Sequence, residues 1–213
     1  MAEKKDLSGL YEFDEAVGNE FPGGLICGTD EAGRGPLAGD VFAAAVILKK
    51  GAVIDGLNDS KKLTEKKRDM LFDEIKEKSE AWCIATASVD EIEKINILNA
   101  AMLAMKRAVE GLGVRPALVM ADGNKCPDIE DTEVRSVIKG DALSASIAAA
   151  SVLAKVARDR YMAEMAEKYP GYAFEKHKGY GTKLHYQMID EHGPSEIHRM
   201  SFLKKYYDKK RSG

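Results

Sequence analysis

Residues 141–168 constrain the fold more than any other part of this chain. Ser144, Ala145, Ser146, Ala148, Ala149, Ala150 and Ser151 crowd the first half of a stretch that no glycine or proline interrupts before Pro170-Gly171. The pattern predicts a long helix stopped by the Pro-Gly pair. Side chains this small let a helix backbone approach a sheet closely, so the rest of the sequence is expected to supply strands for it to cover.

Those strands are legible. Residues 25–30, Val41–Leu48 and 81–87 are apolar runs joined by turn-rich segments, and they predict an antiparallel meander at one side of a sheet. The pattern then changes. Residues 64–79 predict a helix capped by Thr64, with Leu71 and Ile75 on one face, and residues 95–112 predict a second helix ended by Gly113. Residues 118–121 and 134–138 predict short buried strands on either side of a loop containing Pro127. Before all of this, Leu10, Phe13 and Val17 recur at helical spacing ahead of the Phe21-Pro22-Gly23-Gly24 break. The class is α/β, and 213 residues suit one domain spanning 1–213, with 1–24 as an N-terminal extension.

Composition excludes several classes. With 45% hydrophobic and 31% charged residues and no low-complexity tract, the chain is expected to fold as an ordinary globular protein. The N-terminus is polar and the longest apolar run, Val41–Leu48, is too short to span a bilayer, so a cytoplasmic protein without a membrane partner is expected. Cys27, Cys83 and Cys126 are odd in number and widely spaced, which predicts reduced thiols and no thiolate zinc site. A net charge of −3 hides an asymmetry: residues 176–213 carry nine Lys or Arg against four Asp or Glu. That basic tail, interleaved with Tyr180, Tyr186, Tyr206 and Tyr207, suits phosphates and stacking, or equally a solvated helical face with packed aromatics.

Chemistry is concentrated in the acids. Asp30 and Glu31 close the first apolar run, Asp122 follows 118–121, and Asp141 follows 134–138 at the start of the small-residue helix. Singly, each acid has a plainer explanation as a turn or helix-start residue. Repeated at successive strand ends, they converge if the first and fourth strands are neighbours. Four carboxylates in one pocket repel one another, and hard oxygen ligands of this kind suit Mg²⁺ or Mn²⁺. Two such ions about 4 Å apart clamp a scissile phosphate, so the implied reaction is phosphodiester hydrolysis. Asp159, between Arg158 and Arg160 in mid-helix, reads as an ion-paired surface residue outside the site. His177, His185, His192 and His198 fit no compact zinc spacing and read as surface or substrate-proximal residues.

The glycine-rich segment 33–39 is off by one from a dinucleotide fingerprint and leads into a strand, not a helix, and the chain has no P-loop. A glycosidase built on Asp30 and Glu31 is disfavoured because adjacent residues do not flank a sugar from opposite sides.

Four segments in order carry a resemblance: Asp30-Glu31-Ala32-Gly33-Arg34-Gly35-Pro36, Asp59-Ser60-Lys61-Lys62-Leu63, Lys139-Gly140-Asp141, and His177-Lys178-Gly179-Tyr180-Gly181-Thr182. Together they closely resemble the signature segments of bacterial ribonuclease HII, over residues 25–198. The resemblance implies a ribonuclease H-like fold: a five-stranded mixed sheet flanked by helices, with a helical C-terminal part, here the basic residues 171–213, closing over the substrate. It implies a metal-dependent endonuclease with two divalent ions, Mg²⁺ or Mn²⁺; a monomer is the expected state. Its substrates are RNA/DNA hybrids and DNA duplexes containing ribonucleotides, incised 5′ of a single ribonucleotide to leave 3′-hydroxyl and 5′-phosphate ends. By motif position Asp30, Glu31, Asp122 and Asp141 match the catalytic, metal-binding acids. Gly33, Arg34, Gly35 and Tyr180 match residues that recognise the RNA to DNA junction, where a glycine backbone can approach a 2′-hydroxyl. Ser60 and Lys61 lie in a polar loop from which a hydroxyl and an ammonium reach a phosphate. Ribonuclease HIII, similar in fold, usually carries an added N-terminal DNA-binding domain for which 24 residues leave no room, and a non-catalytic hybrid-binding module has no need of four intact acids.

Overall fold

The computed structural model describes residues 8–211, so residues 1–7 of the 1–24 extension and the last two residues lie outside it. In chain order the elements are α1 (Ser8–Gly18), β1 (Ile26–Ala32), β2 (Val41–Leu48), α2 (Glu65–Lys78), β3 (Ser79–Ala87), α3 (Val89–Glu110), β4 (Leu118–Asp122) and β5 (Glu133–Val137). They continue with α4 (Ala145–Lys168), α5 (Phe174–His177), α6 (Lys183–His192) and α7 (Met200–Arg211), and short 3₁₀ turns occupy Ser60–Lys62 and Gly140–Ala142.

A single five-stranded sheet has the order β3-β2-β1-β4-β5. The first three strands form the expected antiparallel meander, and β4 and β5 add in parallel, so β1 and β4 are neighbours. The apolar run of β2 is unbroken because both its faces are covered. Val41, Ala43, Ala45 and Ile47 pack against α3, while Ala44 and Val46 pack against α2 and α4.

The small-residue helix does what its composition predicts. A Cβ on Gly28 of β1 would lie 2.3 Å from Ile147 N and Ser146 C, so strand and helix backbones approach with no side chain between them. Ser144 caps α4, its hydroxyl accepting from Ile147 N. From α1, Asp14 Oδ2 accepts from Ser146 N at 2.8 Å and from Ser146 Oγ at 2.7 Å, which adds a negative charge where the helix dipole favours one. Phe13 and Val17 of α1 pack on Leu118, Met120 and Ile147, as their spacing predicts.

Four boundaries differ from the sequence expectation, each for a local reason. Strand β1 runs past residue 30 because Glu31 and Ala32 still pair with Ala43 and Phe42. Helix α3 begins at Val89, not 95: Ser88 and Glu91 form a capping box there, and a left-handed Asn96 (φ 66°) breaks the apolar periodicity. Strand β5 is a half-exposed edge strand, not a buried one. Asp141 sits in its own 3₁₀ turn, one turn ahead of α4, because Ser144 takes the cap. Among the described residues no helix is long and apolar enough to cross a membrane.

Candidate active site

Strand alternation divides the first two acids. Asp30 points toward α4, where Ser151 hydrogen-bonds it, and its Oδ1 accepts from Glu31 N at 2.7 Å. Glu31 takes the opposite side of the pleat and meets Arg34, with Nη1 at 3.1 Å from Oε1. The parallel β1/β4 register then sets Asp122 beside Asp30, since Thr29 is opposite Ala121. Lys139, in the left-handed region at φ 58°, turns the chain after β5 so that Asp141 N faces Asp122 Oδ1 at 3.4 Å.

Three acids from three separate segments converge. Asp30, Asp122 and Asp141 each bring a carboxylate oxygen within 4.8 Å of the others, and Glu31 stands outside that triad. Burial, followed by the charges of Glu31 and Asp122, holds the Asp30 carboxyl well above the ordinary aspartate range. Burial raises Glu31 too, against the pull of Arg34, and burial with Asp122 and Asp59 raises Asp141. An all-oxygen donor set that repels itself fits a hard divalent cation, whose charge removes the repulsion.

The flanking residues fall into two groups. Lys61 Nζ is 3.5 Å from Asp141 Oδ2 with its side chain 75% exposed. Burial works against its ammonium, yet Asp141, Asp30, Asp59 and Asp122 together leave its pKa above the usual lysine value. Ser60, by contrast, is buried: its Oγ is 2.9 Å from Ser151 Oγ, so the hydroxyl stands behind Asp30 and not at the surface. Asp59 fastens this turn by accepting from Lys61 N at 2.9 Å.

The glycine turn is built on two buried arginines that sequence reasoning missed. Arg199 donates to the carbonyls of Gly33, Arg34, Pro36 and Gly39 at 2.6 to 3.1 Å. Arg158 donates to Ala38, Asp40 and Lys178 at 3.1 to 3.3 Å. Gly33 (φ 102°) is required twice over, by its backbone and because a Cβ would lie 2.2 Å from Arg158 Nε. Arg34 and Gly35 are exposed, and a Cβ on Gly35 would lie 3.8 Å from Tyr180 Cε1, which puts that ring at the rim of the turn. Tyr180 is 44% exposed and lies over the Arg158 guanidinium at 5.8 Å. The signal for the arginines is faint: an arginine in an apolar helical pattern reads as surface until its carbonyl partners are known.

Two readings are corrected. Asp159 is ion-paired, with Lys155 at 2.6 Å and Arg68 at 3.5 Å, but it is buried, because α2 folds over that face of α4. His177, His185 and His198 are buried too, packed around Phe174, and only His192 is at the surface. Of the tail tyrosines, Tyr186, Tyr206 and Tyr207 pack with Leu37, Ile189 and Leu203, which leaves Tyr180 as the one presented openly.

Comparison with known proteins gives the family and the fold. The family model described as Ribonuclease HII matches residues 27–205. Ribonuclease HII of Burkholderia cenocepacia is 54% identical over 197 residues, covering 92% of this chain and 89% of that one. Ribonuclease HII of Caldicellulosiruptor bescii is 54% identical over 194 residues, covering 91% and 93%. The crystal structure of ribonuclease H2 from Pyrococcus horikoshii superposes with a TM-score of 0.72 at 23% identity, covering 89% of this chain and all of that one, which is a likeness of fold.

Proposed function

Since this chain belongs to the ribonuclease HII family, we propose that the pocket of Asp30, Glu31, Asp122 and Asp141 is where it cuts nucleic acid. It is a metal-dependent endonuclease acting on the RNA strand of RNA/DNA hybrids and 5′ of ribonucleotides embedded in duplex DNA, leaving 3′-hydroxyl and 5′-phosphate ends. The observation that carries the site assignment is the convergence of Asp30, Asp122 and Asp141 beside an exposed glycine turn.

Asp30, Asp122 and Asp141 are the residues that hold divalent cations, with Glu31 completing the set, and we take the ions to be Mg²⁺ or Mn²⁺. With cations held there, these acids would have an activated water and a neutralised leaving oxygen at their disposal. The chain's own residues orient the substrate. Lys61 offers its exposed ammonium to a phosphate next to Asp141. Ser60 acts from behind, through Ser151, on the orientation of Asp30. The backbone of Gly33, Arg34 and Gly35, held by Arg199 and Arg158, meets the 2′-hydroxyl that separates RNA from DNA. Tyr180, at the edge of that turn, stacks on the deoxyribose that follows, where a second 2′-hydroxyl would crowd it.

Residues 1–213 act as one catalytic unit in which the basic part, 171–213, closes over the duplex. We take the enzyme to work as a monomer in the cytoplasm. The test is Asp30→Asn assayed on a DNA duplex with one ribonucleotide, with and without Mg²⁺ or Mn²⁺. Loss of incision with retained binding is expected, and full activity in that variant sinks the assignment.

A further inference from the structure

Three imidazoles lie together under Tyr180 and take no part in the proposed chemistry. His177 and His185 stack with ring centroids 4.2 Å apart, and His185 Nε2 is 3.0 Å from His198 Nε2. Their partners leave each ring one tautomer. Tyr172 O can only accept, so His177 carries its proton on Nε2 (2.9 Å), and its Nδ1 accepts from Gly179 N at 3.2 Å. Tyr180 O can only accept, so His185 is protonated on Nδ1 (3.0 Å), and its Nε2 must accept. His198 therefore donates from Nε2 to His185, and its Nδ1 accepts from Ser195 N at 2.8 Å.

A proton added to His177 or His185 sets two donors face to face, and one added to His198 Nδ1 displaces Ser195 N from it, although Ser195 Oγ, 2.8 Å from the same nitrogen, can turn to accept that proton. The array is complete only with all three rings neutral. It also grips the backbone on both sides of Tyr180: Gly179 N through His177, and Tyr180 O through His185. The same segment reaches the glycine turn, since Leu37 N donates to Gly179 O at 2.8 Å and Ala38 bridges His198.

We propose that His177, His185 and His198 form a neutral, tautomer-locked array that positions Tyr180 against the Gly33–Gly35 turn, making them positioning residues for ribonucleotide incision. The proposal rests on the reading of Tyr180 as a junction residue. The charged and titratable groups facing the array are Glu175 beside His177, Arg158 through Lys178 O, Arg199 next to His198 in the chain, Tyr172 against His198, and His192 across Tyr172. Burial lowers the pKa of all three imidazoles, for His185 and His198 to about 4, in keeping with the neutral array.

Two measurements on the full chain decide it. Imidazole ¹⁵N–¹H correlation spectra at pH 7.5 are expected to give His177 and His198 as Nε2–H and His185 as the less common Nδ1–H tautomer. A charged ring, or His185 protonated on Nε2, overturns the lock. The second is a kinetic cycle on a duplex with one ribonucleotide. His185→Leu is expected to lower kcat at least tenfold with KM little changed. His185→Asn, whose amide can still donate to Tyr180 O, is expected to recover most of that loss. The double variant Y180A/H185L is expected to be no slower than Tyr180→Ala alone. Independent, additive losses, or no recovery with Asn, overturn the positioning role. If Tyr180→Ala is itself silent, the junction reading falls, and the tautomer spectra alone decide the lock.

Discussion

Gly28→Ala is the substitution that most directly links the small-residue helix to chemistry. The added Cβ would meet Ile147 N and Ser146 C at 2.3 Å and Ser146 O at 2.6 Å, all backbone atoms that no rotamer change can move aside. Bringing the closest contact out to 3.4 Å needs a shift of about 1.1 Å between β1 and α4. Overpacking of this kind costs about 1–3 kcal/mol, so Tm should fall by roughly 2–12 °C for a chain of this size. The same shift separates Asp30, on β1, from Ser151 and from the Asp141 turn that leads into α4. A misplacement near 1 Å is worth about 10²-fold in rate, so kcat should fall by that order while duplex binding changes little. Gly9→Ala is the control, because its Cβ meets nothing within 4 Å in α1 and alanine favours a helix. Thermal melting and single-turnover incision read both effects. A Gly28→Ala enzyme that melts with the wild type and cuts at full rate would refute the link between close packing and acid geometry.

Other substitutions separate support from chemistry. Arg199→Lys leaves at most three donors for four buried carbonyls, and is expected to lose about 2–4 kcal/mol in urea unfolding, with poorer discrimination between ribonucleotide and all-DNA duplexes. Unchanged discrimination would count against Arg199 as the support of the turn. Asp159→Asn strips the half-buried Lys155 and Arg68 of their partner and should cost about 2–3 kcal/mol, while the metal concentration for half-maximal activity stays at the wild-type value. A changed metal requirement would draw Asp159 into the site. The histidine array has a definite pH sign. His185 and His198 titrate near 4 when folded against an ordinary 6.5, so their contribution is whole above pH 6.5 and is lost as pH falls toward 4. After allowance for solvent screening this is about 2 kcal/mol per ring, and it reads out as the difference in acid sensitivity between wild type and His198→Gln. Equal acid sensitivity would leave the array without the neutral state proposed for it.

How much of this was legible in the sequence depended on the range of the interactions. Val41–Leu48 was readable to the residue because a strand buried on both faces announces itself locally. Thr64 was readable as a cap for the same reason, since its partner Lys67 N is three residues away. The acids are readable because their strand-end positions repeat, and three of them, Asp30, Asp122 and Asp141, bring carboxylate oxygens within 4.8 Å of one another while Glu31 raises the pKa of Asp30 from beside them. What stayed hidden depends on distant partners. Arg158 and Arg199 find their carbonyls in residues 33–40, more than a hundred positions away, and nothing next to them in sequence marks them as buried. The histidines likewise acquire their tautomers only when 172–180 meets 195–198. Asn96 shows the opposite failure: its left-handed backbone is local, but it interrupts a helix whose capping box lies outside the apolar pattern.

The most direct test is to map the incised bond on a DNA duplex carrying one ribonucleotide, comparing the wild type with Asp30→Asn and Asp141→Asn in the presence and absence of Mg²⁺ or Mn²⁺. The wild type is expected to make one cut, on the 5′ side of the ribonucleotide, with 3′-hydroxyl and 5′-phosphate ends, only when the ion is present. Both variants are expected to bind and not cut. Incision without a divalent ion, or by either variant at the wild-type rate, would contradict the acid pocket as the centre of catalysis.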